Sequence, residues 1–213
     1  MGLNIKLIIF DLDGTLIDAY KAIAVSFNFT MQKLNLPQQS FHTIKKSVGW
    51  GDEGLLKPFV EKENLKKALL IYRRHHKESL KTKSRLFPFA KKVLEYLKKK
   101  KYILSVASNR PRKFSDIVLK SLKIKKYFNY ILCADQIKRL KPHPDIIYKI
   151  MKRFSVKKEA TLYVGDMTVD VEAGKRAMVM TIAVLTGSSS KKDLIKAGPD
   201  LIFKDISGLL KIL

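Results

Sequence analysis

The chain is poor in the features that mark secreted, membrane-bound or disulfide-stapled proteins. Only one of its 213 residues is a cysteine, Cys133, so these residues can form no internal disulfide and no cysteine-rich metal site. Cys133 itself reads as a small apolar residue after a strand. Long apolar runs are missing too. Leu7-Ile8-Ile9-Phe10 is stopped by Asp11, and the stretch from Val179 to Leu185 is similarly brief. Neither reaches the roughly 20 residues of a membrane helix, and the first is too short for a signal peptide. The expectation is a cytoplasmic protein with no membrane partner. Acidic residues are scarce, 19 against 43 basic ones, for a net charge of +24. Such a field attracts nucleic acid, anionic lipid and small phosphorylated metabolites alike, so it does not choose among them. The lysines fall in short runs, Lys98 to Lys101, Lys125-Lys126 and Lys157-Lys158, at the ends or outer faces of expected helices, where they read as solvated surface. Internal repeats and low-complexity tracts are absent as well.

What is present is a hydrophobic share of 46%, enough for one well-buried core and a small appended module. Short apolar runs at Leu7 to Phe10, Ile103 to Ala107, Tyr130 to Leu132, Leu162 to Val164, Thr181 to Leu185 and Leu201 to Phe203 read as buried strands. Helix-period stretches lie between most of them, such as Ala90, Val93, Leu94 and Leu97, or Ile146, Ile147, Ile150 and Met151. This alternation predicts an α/β fold, a Rossmann-like parallel sheet with helices on both faces and right-handed crossovers. From about Ala19 to Arg85 the alternation stops and only helical patterns remain, Ala22, Ile23, Phe27 and Leu34, then Leu65, Leu69, Leu70 and Tyr72. The expected organisation is a core built from residues 1–18 and 86–213 and a small all-helical domain over residues 19–85, with the second boundary near Phe87-Pro88-Phe89.

The strongest local signal is Phe10-Asp11-Leu12-Asp13-Gly14-Thr15-Leu16, directly after the first strand. If strand geometry continues, Asp11 and Asp13 project to the same side. Two adjacent carboxylates repel, so such a site must protonate one or neutralise both with a cation. Gly14 permits an abrupt turn, and the carboxyl ends of strands are where open α/β sheets bind ligands. A calcium loop is excluded: the twelfth position from Asp11 is Ala22 rather than a bidentate Glu, and the segment follows a strand. Three further pieces occupy corresponding places. Ser108-Asn109 follows one strand, Lys141-Pro142-His143-Pro144-Asp145 begins a helix, and Gly165-Asp166-Met167-Thr168-Val169-Asp170 follows another strand. Each alone has an ordinary explanation as a cap, a surface lysine or a turn; their order lifts the joint reading above those.

Together these pieces resemble the four motifs of the haloacid dehalogenase superfamily of phosphohydrolases, over nearly the whole chain. Asp11 to Thr15 is similar to the first motif, Ser108 to the second, Lys141 to the third, and Gly165-Asp166 with Asp170 to the fourth. The helical interval resembles the cap domain of the phosphoglycolate-phosphatase-like branch. Ala19 and Arg110 depart from it, standing where many members have Ser and Lys. The resemblance implies a phosphatase that acts on a small phosphorylated metabolite and uses Mg²⁺. Asp11 would attack phosphorus and form an aspartyl-phosphate, and Asp13 would protonate the leaving alkoxide and then activate water, which asks for a raised pKa. Ser108 and the main chain near Asn109 would donate to the phosphoryl oxygens, Lys141 would add positive charge, and Thr15 would lie beside the substrate. Asp11, Asp166 and the Asp13 carbonyl would hold the metal, with Asp170 completing the acidic set by orienting a bound water or Lys141.

In the cap, Ser47-Val48-Gly49-Trp50-Gly51-Asp52 reads as a loop descending toward the site, with Gly49 flexible and Trp50 either a substrate contact or plain cap packing. His42, His75, His76 and His143 show no ligand spacing and are assigned to surface or packing. Two rivals remain at this stage: a phosphomutase of the β-phosphoglucomutase type on the same scaffold, and a basic nucleic-acid-binding protein without catalysis, which the complete motif set disfavours. Oligomeric state is left open.

Overall fold

The computed structural model describes residues 4–213. Among these residues eight strands run β1 (Leu7–Phe10), β2 (Ile17–Asp18), β3 (Arg85–Leu86), β4 (Ile103–Ser108), β5 (Tyr130–Cys133), β6 (Thr161–Gly165), β7 (Met180–Val184) and β8 (Leu201–Phe203). Among the described residues nine α-helices accompany them: α1 (Tyr20–Lys33), α2 (Phe41–Ser47), α3 (Gly51–Leu56), α4 (Leu65–Lys83), α5 (Ala90–Lys99), α6 (Arg112–Ser121), α7 (Asp145–Phe154), α8 (Thr168–Arg176) and α9 (Lys191–Ala197).

Six of the strands form one sheet in the order β5-β4-β1-β6-β7-β8, and every pairing in it is parallel. Its central strand β1 is buried on both faces, as a continuous apolar run in a helix-covered sheet must be. Ile8 and Phe10 join the larger core cluster, together with Leu104, Val106, Leu162 and Val164. Leu7 and Ile9 point the other way and pack with Tyr163, Ile146, Ile147 and Ile150. The period-two alternation of a strand thus sorts one short run into two cores. The chain is an α/β protein with a six-stranded parallel sheet and a helical insert.

The insert comprises α1 to α4. Its apolar residues, Phe27, Met31, Leu56, Ala68, Tyr72 and Leu80 among them, are continuous with the larger core. Where it joins the sheet, β2 pairs antiparallel with β3, Ile17 with Leu86 and Asp18 with Arg85. This ribbon was not expected from the sequence, because two residues per strand carry no periodicity. Helix α4 ends at Lys83, ahead of the Phe87-Pro88-Phe89 segment. Among the described residues no helix is long and apolar enough to cross a membrane.

Candidate active site

Register brings the motifs together. Phe10 pairs with Val106 on β4 and with Val164 on β6, so Asp11, Ser108 and Asp166 all fall at the carboxyl edge of three adjacent strands. The Asp11 N–H still bonds to the Val164 carbonyl at 2.9 Å, which extends the ladder to that residue's backbone. The chain then turns at Gly14, whose φ of +92° lies in the left-handed region; a Cβ there would come within 2.3 Å of Asp166 Oδ2.

Lys141 is the hub. Its ammonium lies 2.6 Å from Asp11 Oδ1 and 2.7 Å from Asp170 Oδ1, and donates to the Ala107 carbonyl at 3.0 Å. Burial works against its charge, but Asp11 and Asp170 outweigh that and hold its pKa well above the ordinary value. The carboxylates remain in excess. Burial pushes Asp11 up to about 7 against the pull of Lys141, with Asp170 and Asp13 adding repulsion. Asp166 is raised well above the ordinary carboxylate range, by burial first and then by Asp170 and Asp11.

Asp11, Asp166 and Asp170 each bring a carboxylate oxygen within 4.8 Å of the others. Three buried hard oxygen donors, of which Asp11 and Asp170 share Lys141, fit a divalent cation such as Mg²⁺. The three are not equivalent. Asp170 accepts from Lys141 Nζ and Tyr163 Oη on one oxygen, and from the Asp166 and Met167 N–H groups on the other. Four donors fill the lone pairs of a carboxylate, so Asp170 positions Lys141 and the Asp166 turn rather than serving as a free ligand. Asp13 stands outside the acidic cluster. Its side chain is paired bidentately with Arg110, at 2.6 and 2.8 Å.

The expected substrate contacts differ in what they touch within the protein. Thr15 is fully buried and donates to Asp166 Oδ1 at 3.1 Å. Asn109 ties cap to core: its amide donates to the Gly49 and Lys141 carbonyls, and its oxygen accepts the Lys141 N–H. Gly49 does descend to the cavity lining, whereas Trp50 does not line it and is 50% exposed. Ser108 lines the cavity and accepts the Arg110 N–H; among the described residues its hydroxyl proton is given to no protein acceptor, which leaves it for a ligand.

The sequence reading missed two features. His76, on α4, is 2% exposed, lines the cavity and accepts from Arg110 Nη1 at 3.1 Å. Burial, then Arg110, lowers its pKa well below 6.5. The loop after β7 reads as an ordinary polar loop, yet the Ser188 N–H donates to Asp166 Oδ2 at 3.1 Å and Thr186 to the Gly14 carbonyl at 2.5 Å. A Cβ on Gly187 would sit 1.6 Å from Asp166 Oδ2, so glycine is what lets this loop close over the acid.

Asp11, Asp13, Ser108, Arg110, Lys141 and Asp170 therefore form the polar end of one cavity, while Ile23, Val48, Leu55, Tyr72 and His76 wall it from the insert. Residues 8–184 match the family model of haloacid dehalogenase-like hydrolases. A phosphoglycolate phosphatase of Haemophilus influenzae is 31% identical over the full length of both chains, and one of Aquifex aeolicus is 32% identical over 98% of this chain and 96% of its own. The crystal structure of a predicted phosphoglycolate phosphatase from Haemophilus somnus superposes with a TM-score of 0.93 at 30% identity, covering 98% of each chain.

Proposed function

Because the chain belongs to the haloacid dehalogenase-like hydrolases and is a phosphatase of that family, we propose that it hydrolyses a small phosphate monoester through an aspartyl-phosphate on Asp11, with Mg²⁺ as cofactor. The observation that carries this reading is the state of the Asp11 carboxylate. One oxygen is anchored on Lys141, and among the described residues the other accepts from no protein group while Asp11 lines the cavity. A buried carboxylate held by one oxygen and open at the other is placed to act as a nucleophile.

Asp11 Oδ2 attacks phosphorus, the bond to the leaving oxygen breaks, and that oxygen takes a proton from Asp13, which enters the step protonated and turned away from Arg110. Asp13 then removes a proton from the water that cleaves the acyl phosphate, which releases inorganic phosphate and regenerates Asp11. Ser108 donates to a phosphoryl oxygen and Lys141 supplies fixed positive charge beside it. Asp11 and Asp166 are the residues that would hold the metal, whose charge offsets the repulsion between carboxylate and dianionic ester. In this reading residues 19–85 act as a cap that shields the reaction from water and reads the leaving group. Phosphoglycolate is the first substrate to try, because the relatives named above are phosphoglycolate phosphatases.

A panel of phosphorylated metabolites, assayed for phosphate release with and without Mg²⁺, tests the proposal. Steady release from one small ester, lost in excess chelator and independent of any bisphosphate activator, is expected. Full activity in chelator contradicts the metal assignment, and dependence on a bisphosphate activator points to a mutase.

A further inference from the structure

Pro111 and Phe114 line both the cavity and a second, open groove of about 1140 Å³. Helix α4 of the insert supplies one wall of this groove with Lys67, Leu70, Arg74 and Lys77, three or four residues apart and so on one helix face. Lys33, the last residue of α1, extends that wall, and Lys113 on α6 stands on the core side. Among the described residues Lys33, Lys67, Arg74, Lys77 and Lys113 take part in no ion pair. The acids nearby are engaged: Asp52 pairs with Arg73, and Asp135, the one carboxylate on the described lining, accepts the Arg112 N–H.

The surface between these charges is apolar. Leu70 is 70% exposed, Ile71 is half-buried, and Phe29 stacks on His75 with ring centroids 4.2 Å apart. Cations spread over a convex surface point apart into water, whereas cations around a concavity with apolar walls focus their potential into it. Lysine and arginine also carry donors and no acceptor. A phosphodiester chain is their complement, since its charged oxygens only accept. A peptide, even an acidic one, brings backbone N–H donors for which this lining offers little. A duplex keeps its bases stacked inside and leaves the apolar surface unused, while a single strand can turn its bases onto it. From Lys67 to Lys77 the wall runs about 15 Å, room for about four nucleotides at the roughly 3.4 Å per phosphate of a stacked strand.

We propose that the groove between α4 and α6 binds single-stranded nucleic acid, with phosphodiesters on the five free cations and bases against Phe29, Leu70 and Ile71. This is a binding surface beside the phosphatase site. It does not rest on the phosphatase reading, and its test is run in chelator, where no phosphate release is called for.

The probe is a fluorescently labelled 20-nucleotide oligothymidylate, followed by anisotropy between about 50 and 200 mM salt. Wild type should bind it at least about 10-fold more tightly than a duplex of the same length, the reverse of what charge density alone favours. The affinity should fall with salt at a log–log slope of about −3.5, roughly 0.7 for each of the five cations. Replacing Lys67, Arg74, Lys77 and Lys113 together by Gln should reduce that slope by about 2.8 and weaken binding by more than about 10-fold at low salt. The same loss of charge at Lys98, Lys99, Lys100 and Lys101, by Lys→Gln at each, should change binding by no more than about two-fold. Equal weakening by the two variants means diffuse attraction to a basic protein and overturns the proposal. So does a duplex bound as tightly as the single strand, or the absence of binding at 50 mM salt. Displacement of the probe by inorganic polyphosphate or polyglutamate of matched charge as readily as by unlabelled oligothymidylate also overturns it, because the bases then contribute nothing. The duplex and competitor arms use wild type alone and decide the matter even if the groove variant fails to fold.

Discussion

The two ends of the cavity are built on opposite principles. At the sheet end nearly every polar atom is assigned: Lys141 has three partners, Asp170 has four donors, and Asp166 accepts from Thr15 and Ser188. At the insert end the wall is mostly apolar, with Ile23, Val48, Leu55 and Tyr72 beside a histidine whose charge is suppressed, and its one carboxylate among the described lining residues, Asp52, is paired with Arg73. Charge is concentrated at the sheet end of the cavity and sparse at the insert end. In the proposed reading, the scaffold of strand ends would carry the part of the reaction common to all phosphate esters, and the helical insert the part that differs between them.

The comparison is broken most completely at Asp11. Asp11→Asn should leave no turnover with any ester, since an amide does not attack phosphorus usefully; a phosphate-release assay with alkyl and aryl esters checks this. Asp13→Asn should cost on the order of 10²- to 10⁴-fold on an alkyl ester. With an aryl ester the first step should be partly restored, because that leaving group needs little protonation, and pre-steady-state kinetics would show a burst. Lys141→Met strips from Asp11 and Asp170 the cation that they share among the described residues and should destabilise the fold by about 3–5 kcal/mol, as breaking a buried ion pair does; urea unfolding at pH 7 measures it.

The insert end responds more gently. His76 is neutral in the folded protein, held so by burial and by Arg110, with His75 a minor contributor, whereas the unfolded chain takes up a proton near pH 6.5. Its contribution is therefore complete above about pH 6.5 and is lost as pH falls below that value toward the depressed folded pKa, because the unfolded state then binds more protons. Urea unfolding across pH 5 to 8 should show this slope, and His76→Gln should flatten it. The smallest effect is expected at Trp50, half exposed and outside the cavity lining. Trp50→Ala should change stability by no more than about 0.5 kcal/mol and leave the ranking of substrates unchanged, while Leu55→Ala, on the lining, should alter it.

Legibility in the sequence followed the same division. The strands that carry chemistry were readable because each is an apolar run stopped by a polar motif, and Asp11, Ser108 and Asp166 follow β1, β4 and β6 at one edge. Spacing could not say what a polar neighbour faces. Thr15 donates to Asp166, and the Asn109 side chain ties Gly49 to Lys141 while Asn109 also lines the cavity, contacts that only the tertiary structure supplies. His76 left a trace that a count of metal-ligand spacings overlooks: Ala68, Tyr72, His76 and Leu80 recur every fourth residue and are all buried on α4, a helix stripe with a histidine inside it. The loop at Gly187 left none, since a glycine followed by serines names no chemistry until the neighbouring strand brings Asp166 beneath it.

The account stands on Asp11 as the covalent nucleophile, and rapid-quench labelling tests that most directly. Enzyme, preferably the Asp13→Asn variant with an aryl phosphate, is stopped in acid within milliseconds and its peptides are analysed by mass. The phosphoryl group should be found on Asp11, in the peptide beginning at Leu7, and should disappear in the Asp11→Asn protein. A label on Asp13 or Ser108, or turnover by Asp11→Asn, contradicts the mechanism even if the chain still releases phosphate.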